Sequence, residues 1–243
     1  MMDEYIAEQV LRWYERIERG ILEFAEQIPL VPQNEGLEVP ILITYLMDAC
    51  GLLDSLFRDL TSNPVTVDGK TKSRDECDIV DFAKLHARVL GLPETRSVLL
   101  VSPPRYRTPF EPWMSLLTGG DYSPLPWWQI YNSLKHDRLS HIHEGTLEAT
   151  LDAVCALHQV IARRIDMVPM LLRRGWFPLG GYFVDGIIED AARGQLPDTF
   201  IVQTLLFAVP VGREQFPADF SNLNPGLYKC KREFVEFLGR LFR

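Results

Sequence analysis

The chain has 243 residues, 47% hydrophobic and 24% charged, with a formal net charge of -8. That is long enough to bury a sizeable core and short enough for one domain. The acidic balance excludes a protein that coats nucleic acid, which needs a broad field of Lys and Arg, and leaves room only for a local basic patch. Cys50, Cys77, Cys155 and Cys230 lie far apart with no CxxC spacing, and Cys50 and Cys155 fall in apolar helical runs, a pattern expected of free thiols in a reducing cytoplasm. The start, Met1-Met2-Asp3-Glu4-Tyr5, is acidic rather than signal-like, and we see no apolar run of roughly eighteen residues to span a bilayer, so no membrane role is expected.

In chain order, Ile6, Val10, Trp13, Ile17, Ile21 and Phe24 recur at spacings of three and four, predicting an amphipathic helix over residues 4–28 that Pro29 and Pro32 end. Pro40 opens a second helix with a wide apolar face, from Ile41 to Leu60. Asn63-Pro64 and Asp68-Gly69 are turn chemistry, predicting an exposed loop or short hairpin. A third helix is expected over residues 79–90, stopping at Gly91 and Pro93. Residues 97–101 form a β-like run bounded by Arg96 and Pro103-Pro104. Residues 105–126, with Phe110, Trp113 and Tyr122, read as an aromatic clasp over the helices that leads to a helix launched by Pro124 and Pro126.

After Gly145, Leu147, Leu151, Val154, Leu157, Ile161, Ile165 and Val168 predict one more long helix. Residues 182–188 and 200–209 look like strands able to pair with residues 97–101, and residues 228–243 read as a short amphipathic helix. The expected organisation is a mainly α protein: a helical bundle over 1–175, with an inserted strand and aromatic loop near 96–126, and a small β appendage and terminal helix over 176–243 packed on it.

The densest chemistry lies in residues 127–138, WWQIYNSLKHDR. On a helix, residues four apart share a face, which puts Trp128, Asn132 and His136 in one row and Tyr131, Lys135 and Arg138 in the flanking row. A neutral imidazole at His136 can take a proton from a ribose hydroxyl, with Asn132 and Tyr131 orienting the substrate and Lys135 and Arg138 holding phosphate. Equally, Asn132 and His136 can form a semi-buried hydrogen-bond network between helices.

The pattern WWxxYNxxKHxR followed by a long helix resembles the bacterial HEPN-type helical proteins, most strongly over residues 124–164. The resemblance implies a helical bundle, a homodimer, a stress or defence setting, and binding of RNA or nucleotide. Catalytic members of that superfamily place an Arg four to six residues from a His, forming a ribonuclease site at a dimer interface. Here Tyr131 stands where that Arg is expected, and Lys135 and Arg138 lie on the other side. The resemblance therefore implies a binding or regulatory module first, with a metal-independent ribonuclease as the alternative. A third reading is an interaction protein that docks a partner on Trp113, Trp127 and Trp128.

Elsewhere the signals are weaker. His136, His141 and His143 with Asp137 and Glu144 cluster like metal ligands, but their spacing across a helix end is poor for convergence, so neither metal nor cofactor is expected. His86 and His158 read as satisfied core or boundary residues. Ser133, Ser140 and Cys155 lack a fixed base or elbow, Gly119-Gly120 and Gly180-Gly181 read as turns, and Arg163-Arg164 with Arg173-Arg174 as solvated helix ends.

Overall fold

The computed structural model describes residues 2–177 and 199–212. Helix α1 (Glu4–Ala25) begins where the Asp3 carboxylate accepts the backbone N–H groups of Tyr5 and Ile6, and it buries Val10, Leu11, Tyr14, Ile17 and Ile21. Helix α2 (Pro40–Leu60) starts at the expected proline, whose missing N–H costs nothing in a first turn. It has the length and the mean hydropathy, 1.4, to cross a bilayer, contrary to the expectation that no such run exists. Half of that stretch is nevertheless buried inside the protein, and the apolar face that makes it so hydropathic packs on α1, α5 and α6.

The turn chemistry after α2 resolves as the hairpin, β1 (Val65–Val67) with β2 (Lys70–Lys72). Both loop residues have positive φ, 50° at Asp68 and 75° at Gly69, the conformation that lets a two-residue loop follow the strand twist. Helix α3 (Ile79–His86) opens with an Asp78–Asp81 capping box and ends earlier than expected. Its exit is closed by Gly91 at φ 60° and by the Leu92 N–H donating to the Ala87 carbonyl.

Strand β3 (Ser97–Leu99) pairs antiparallel with β4 (Arg105–Arg107), a strand that its charged sequence had hidden. The run at 200–209, expected as one strand, is instead a hairpin, β5 (Thr199–Gln203) and β6 (Phe207–Gly212). The pairing expected with residues 97–101 is made by β6, with Val98 opposite Ala208, and the sheet order is β4-β3-β6-β5. The chain folds back because the buried Glu18 carboxylate of α1 accepts the Leu206 N–H at 2.9 Å and the Leu205 N–H at 3.4 Å, and also the Thr204 hydroxyl. Four donors, Tyr14 included, converge on one carboxylate and pin the turn to α1.

Short helix α4 (Met114–Leu117) and helix α5 (Pro126–His136) precede α6 (Leu147–Arg163), and α7 (Val168–Arg173) follows it. The protein is thus mainly α with a minor β part. The aromatic segment is not a clasp over the helices: Phe110 and Trp113 are fully buried and pack together, ring centroids 4.9 Å apart, in the core beside Phe57. The last long helix also stops sooner than its periodicity suggested. Arg164 leaves helical geometry, and its guanidinium, 2% exposed, reaches the Leu56 carbonyl, Asp59 and Asp166. Arg163 is 7% exposed and donates to the carbonyls of Leu90 and Pro210. These two arginines are therefore buried ties between elements, not a solvated helix end, whereas Arg173 and Arg174 pair with Glu4, Glu8 and Glu15 on α1. The expectations for residues 182–188, 228–243, Gly180-Gly181 and Cys230 lie outside the described residues.

His86 is satisfied, sharing a 2.8 Å hydrogen bond with the Thr61 hydroxyl. His158 is not: it is fully buried among Tyr14, Trp176 and Phe207, and neither ring nitrogen has a partner among the described residues. Burial lowers its pKa from 6.5 to about 3. The unfolded chain therefore binds the extra proton first, and stability is fully present above pH 6.5 and falls as pH drops toward 3. Replacing this imidazole by an apolar group of similar volume, His158→Leu, is expected to change stability by less than about 1 kcal/mol at pH 8 and to leave the variant more stable than wild type near pH 4. Urea unfolding at both pH values measures this. In the same assay Gly145→Ala should cost about 1–3 kcal/mol, because the new Cβ would stand 2.3 Å from Cγ1 of buried Ile43.

Candidate functional site at the end of the motif helix

Residues 126–136 are helical, as the motif reading required, but the helix runs from core to solvent along its length. At its start Trp127, 2% exposed, donates its indole N–H to the Pro109 carbonyl at 2.9 Å and meets Phe110 edge-on. Trp128, 5% exposed, packs at a tilt against Tyr131, ring centroids 5.0 Å apart, and Leu134 completes the buried face. Trp113, Trp127 and Trp128 thus fill the chain's own core, which removes them as a surface on which a partner docks. Two large indoles on the inner face anchor the first turns, and polar residues occupy the turns that emerge.

Along the row Trp128, Asn132, His136 the side chains pass from buried to half-buried to exposed. Asn132 and His136 make no side-chain hydrogen bond among the described residues, so the interhelical network is not formed. Tyr131 is buried, and its hydroxyl is pushed up by desolvation. The exposed Lys135 lays its ammonium over the Tyr131 ring, 5.6 Å from the centroid. Arg138 departs from the expected flanking row: the helix ends at His136, and Asp137 turns away at φ -148° and ψ 85°. Arg138 is exposed, and neither it nor Lys135 has an ion-pair partner among the described residues.

The turn that follows is built by local polar contacts. The Asp137 carboxylate accepts the Ser140 hydroxyl at 2.6 Å and the Ser140 N–H at 3.2 Å, and the Ser140 hydroxyl above all holds it below the ordinary range. His141 Nδ1 lies 2.7 Å from Glu144 Oε1, and this contact foremost keeps the Glu144 carboxyl low. Leu139 is 85% exposed. The surface therefore combines two cations, three imidazoles and two carboxylates engaged in local hydrogen bonds within ten residues, 135–144. Of these, the His141–Glu144 pair was weighed from sequence only as metal chemistry. Its H-x-x-E spacing was the signal that one group orients the other. No group of three metal-ligating side chains converges among the described residues.

A cleft of about 380 Å³ opens elsewhere, between α1, Trp176 and the β5–β6 turn. Its buried carboxylate, Glu18, already accepts from four donors and is committed to the fold. Buried Cys50 and Cys155, whose thiols desolvation pushes up, are no better suited to nucleophilic work. Comparison of the chain with protein-family models, with curated proteins and with solved structures finds no match.

The division of α5 into an anchoring half and an emergent half is testable by unfolding. Trp128→Ala is expected to cost about 3–5 kcal/mol. Lys135→Ala, His136→Ala and Arg138→Ala should each stay within about 0.5 kcal/mol of wild type.

Proposed function

We propose that this chain is a HEPN-like binding or regulatory module, working as a homodimer, whose α5 end holds a phosphate-bearing ligand, single-stranded RNA foremost. The observation that carries the reading is that Lys135, His136 and Arg138 are exposed, and that the two cations have no carboxylate partner among the described residues. Most cations around the helical body are otherwise engaged: Arg16 with Asp48, Arg58 with Asp54, Arg107 with Asp152 and Arg164 with Asp59. Cations left unneutralised in a chain of net charge -8 suit an anion that arrives from outside. The stress or defence setting and the dimer rest on the family resemblance alone.

Binding is favoured over cleavage because the groups suggested for catalysis are differently placed. Tyr131 is committed to the core, while His136 stands in solvent with no residue orienting it among the described residues. Uncleaved RNA after long incubation is accordingly expected; cleavage that His136→Ala abolishes would reinstate the metal-independent ribonuclease reading.

With two cations, the salt dependence of binding to a fluorescent single-stranded RNA should be shallow. Each contact contributes about 0.7 to the log–log slope, so Lys135→Ala and Arg138→Ala should each lower it by about that amount. Anisotropy titrations at several salt concentrations measure this, with a mononucleotide as a second arm. Slopes unchanged by both substitutions would reject the site, and a strictly monomeric protein in light scattering would reject the dimer.

A further inference from the structure

We infer that His141, held by Glu144, is the proton-carrying contact of this surface, so that phosphate binding takes up a proton and strengthens as pH falls. The inference rests on the anion-binding reading above and names the group within that site which regulates it. Of the three imidazoles near the end of α5, His141 is the one with an orienting partner: its Nδ1 faces Glu144 Oε1 at 2.7 Å. A carboxylate at that nitrogen fixes the Nδ1–H tautomer and leaves Nε2 as the remaining polar atom of the ring. The His141 backbone N–H donates to the carbonyl of Asp137, the residue that closes α5, at 3.3 Å, so the dyad is tied to the end of the helix that carries Lys135 and His136. The ring is partly open to solvent, its side chain 38% exposed, as a group that meets an outside ligand must be.

Proton accounting follows from the tautomer. In the neutral ring Nδ1–H is donated to Glu144 and Nε2 bears a lone pair, which repels a phosphate oxygen. To donate to that oxygen, Nε2 must take one proton from solvent, and the proton returns to solvent when the ligand leaves. No bond to phosphorus forms or breaks. The titratable groups beside the ring are Glu144, against Nδ1, Asp137 at the end of α5, and His143 in the same short turn as Glu144. Glu144 is thus a positioning residue, acting through His141.

The test uses full-length protein, a fluorescent single-stranded RNA and histidine-labelled samples for long-range ¹⁵N–¹H NMR. Wild type should show His141 as the Nδ1–H tautomer, and its RNA affinity should rise between about pH 7.5 and 5.5. His141→Ala and Glu144→Ala should each weaken binding at the lower pH about three- to tenfold and flatten the pH profile, with no further loss in the double variant. Glu144→Gln, which keeps an acceptor but no charge, should retain the tautomer and flatten the profile. These residues are partly exposed, so unchanged unfolding curves will separate the effect from misfolding. If His141→Ala binds with the wild-type pH profile while Lys135→Ala loses affinity, this inference is wrong and the anion site stands. If wild type does not bind RNA or mononucleotide at either pH, the underlying reading fails and takes this inference with it.

Discussion

A helix buried on nearly every side sets the terms for the rest of the molecule. In α6 all residues from Leu147 to Arg163 are buried except Glu148 and Asp152, so apart from the unpartnered imidazole of His158 its polar side chains draw their partners from within the protein. Those bonds fix the neighbours. Thr150 donates to the Leu42 carbonyl of α2, Gln159 to the Ser97 hydroxyl of β3, and Arg163 to the Leu90 and Pro210 carbonyls. Arg107 of β4 pairs with Asp152, whose carboxyl burial pushes up to about 6 against the pull of that arginine. Apolar packing alone would leave the position of the sheet around α6 loosely specified; directional bonds at named carbonyls and hydroxyls do specify it.

Against this fixed centre α5 is held at its beginning and released at its end. The indoles of Trp127 and Trp128 and the ring of Tyr131 lie in the core, where large rings give most area per residue. One turn later the same helix presents Lys135 and His136 to solvent, close to the negative end of its dipole, which suits cations. The core thereby orients a polar surface that contributes little to folding. Such a surface is free to serve a ligand, and the short-range contacts of Asp137, Ser140, His141 and Glu144 give the turn beyond it a defined shape.

Local chemistry was legible in the sequence wherever the decisive partner lay close by in the chain. The amphipathic spacing of α1, the proline that opens α2 and the Asp68-Gly69 turn all depend on neighbours within a few residues. Misreadings arose where the partner was distant. Arg163 and Arg164 look like a solvated helix end until the carbonyls they reach, 47 to 108 residues away, are known. Strand β4 is charged because Glu35, far earlier in the chain, neutralises Arg105 and Arg107. The hairpin at β5 and β6 looks like one strand because its turn is dictated by Glu18 rather than by Gly or Asn in its own sequence. At the candidate site, helical periodicity placed Trp128, Asn132 and His136 correctly in one row, but it could not say that the row leaves the core. Carrying the same periodicity past Asp137 misplaced Arg138.

One face of α5 is core, and we propose that its end is a ligand surface. Hydroxyl-radical footprinting of residues 126–144, with and without a short single-stranded RNA, reads both halves at once. Trp127 and Trp128 are expected to be protected in either state, and His136, Leu139 and His141 to be modified freely alone and shielded with RNA. Oxidation of the two tryptophans in the free protein, or unchanged modification of the three end residues when RNA is present, would contradict this division of α5.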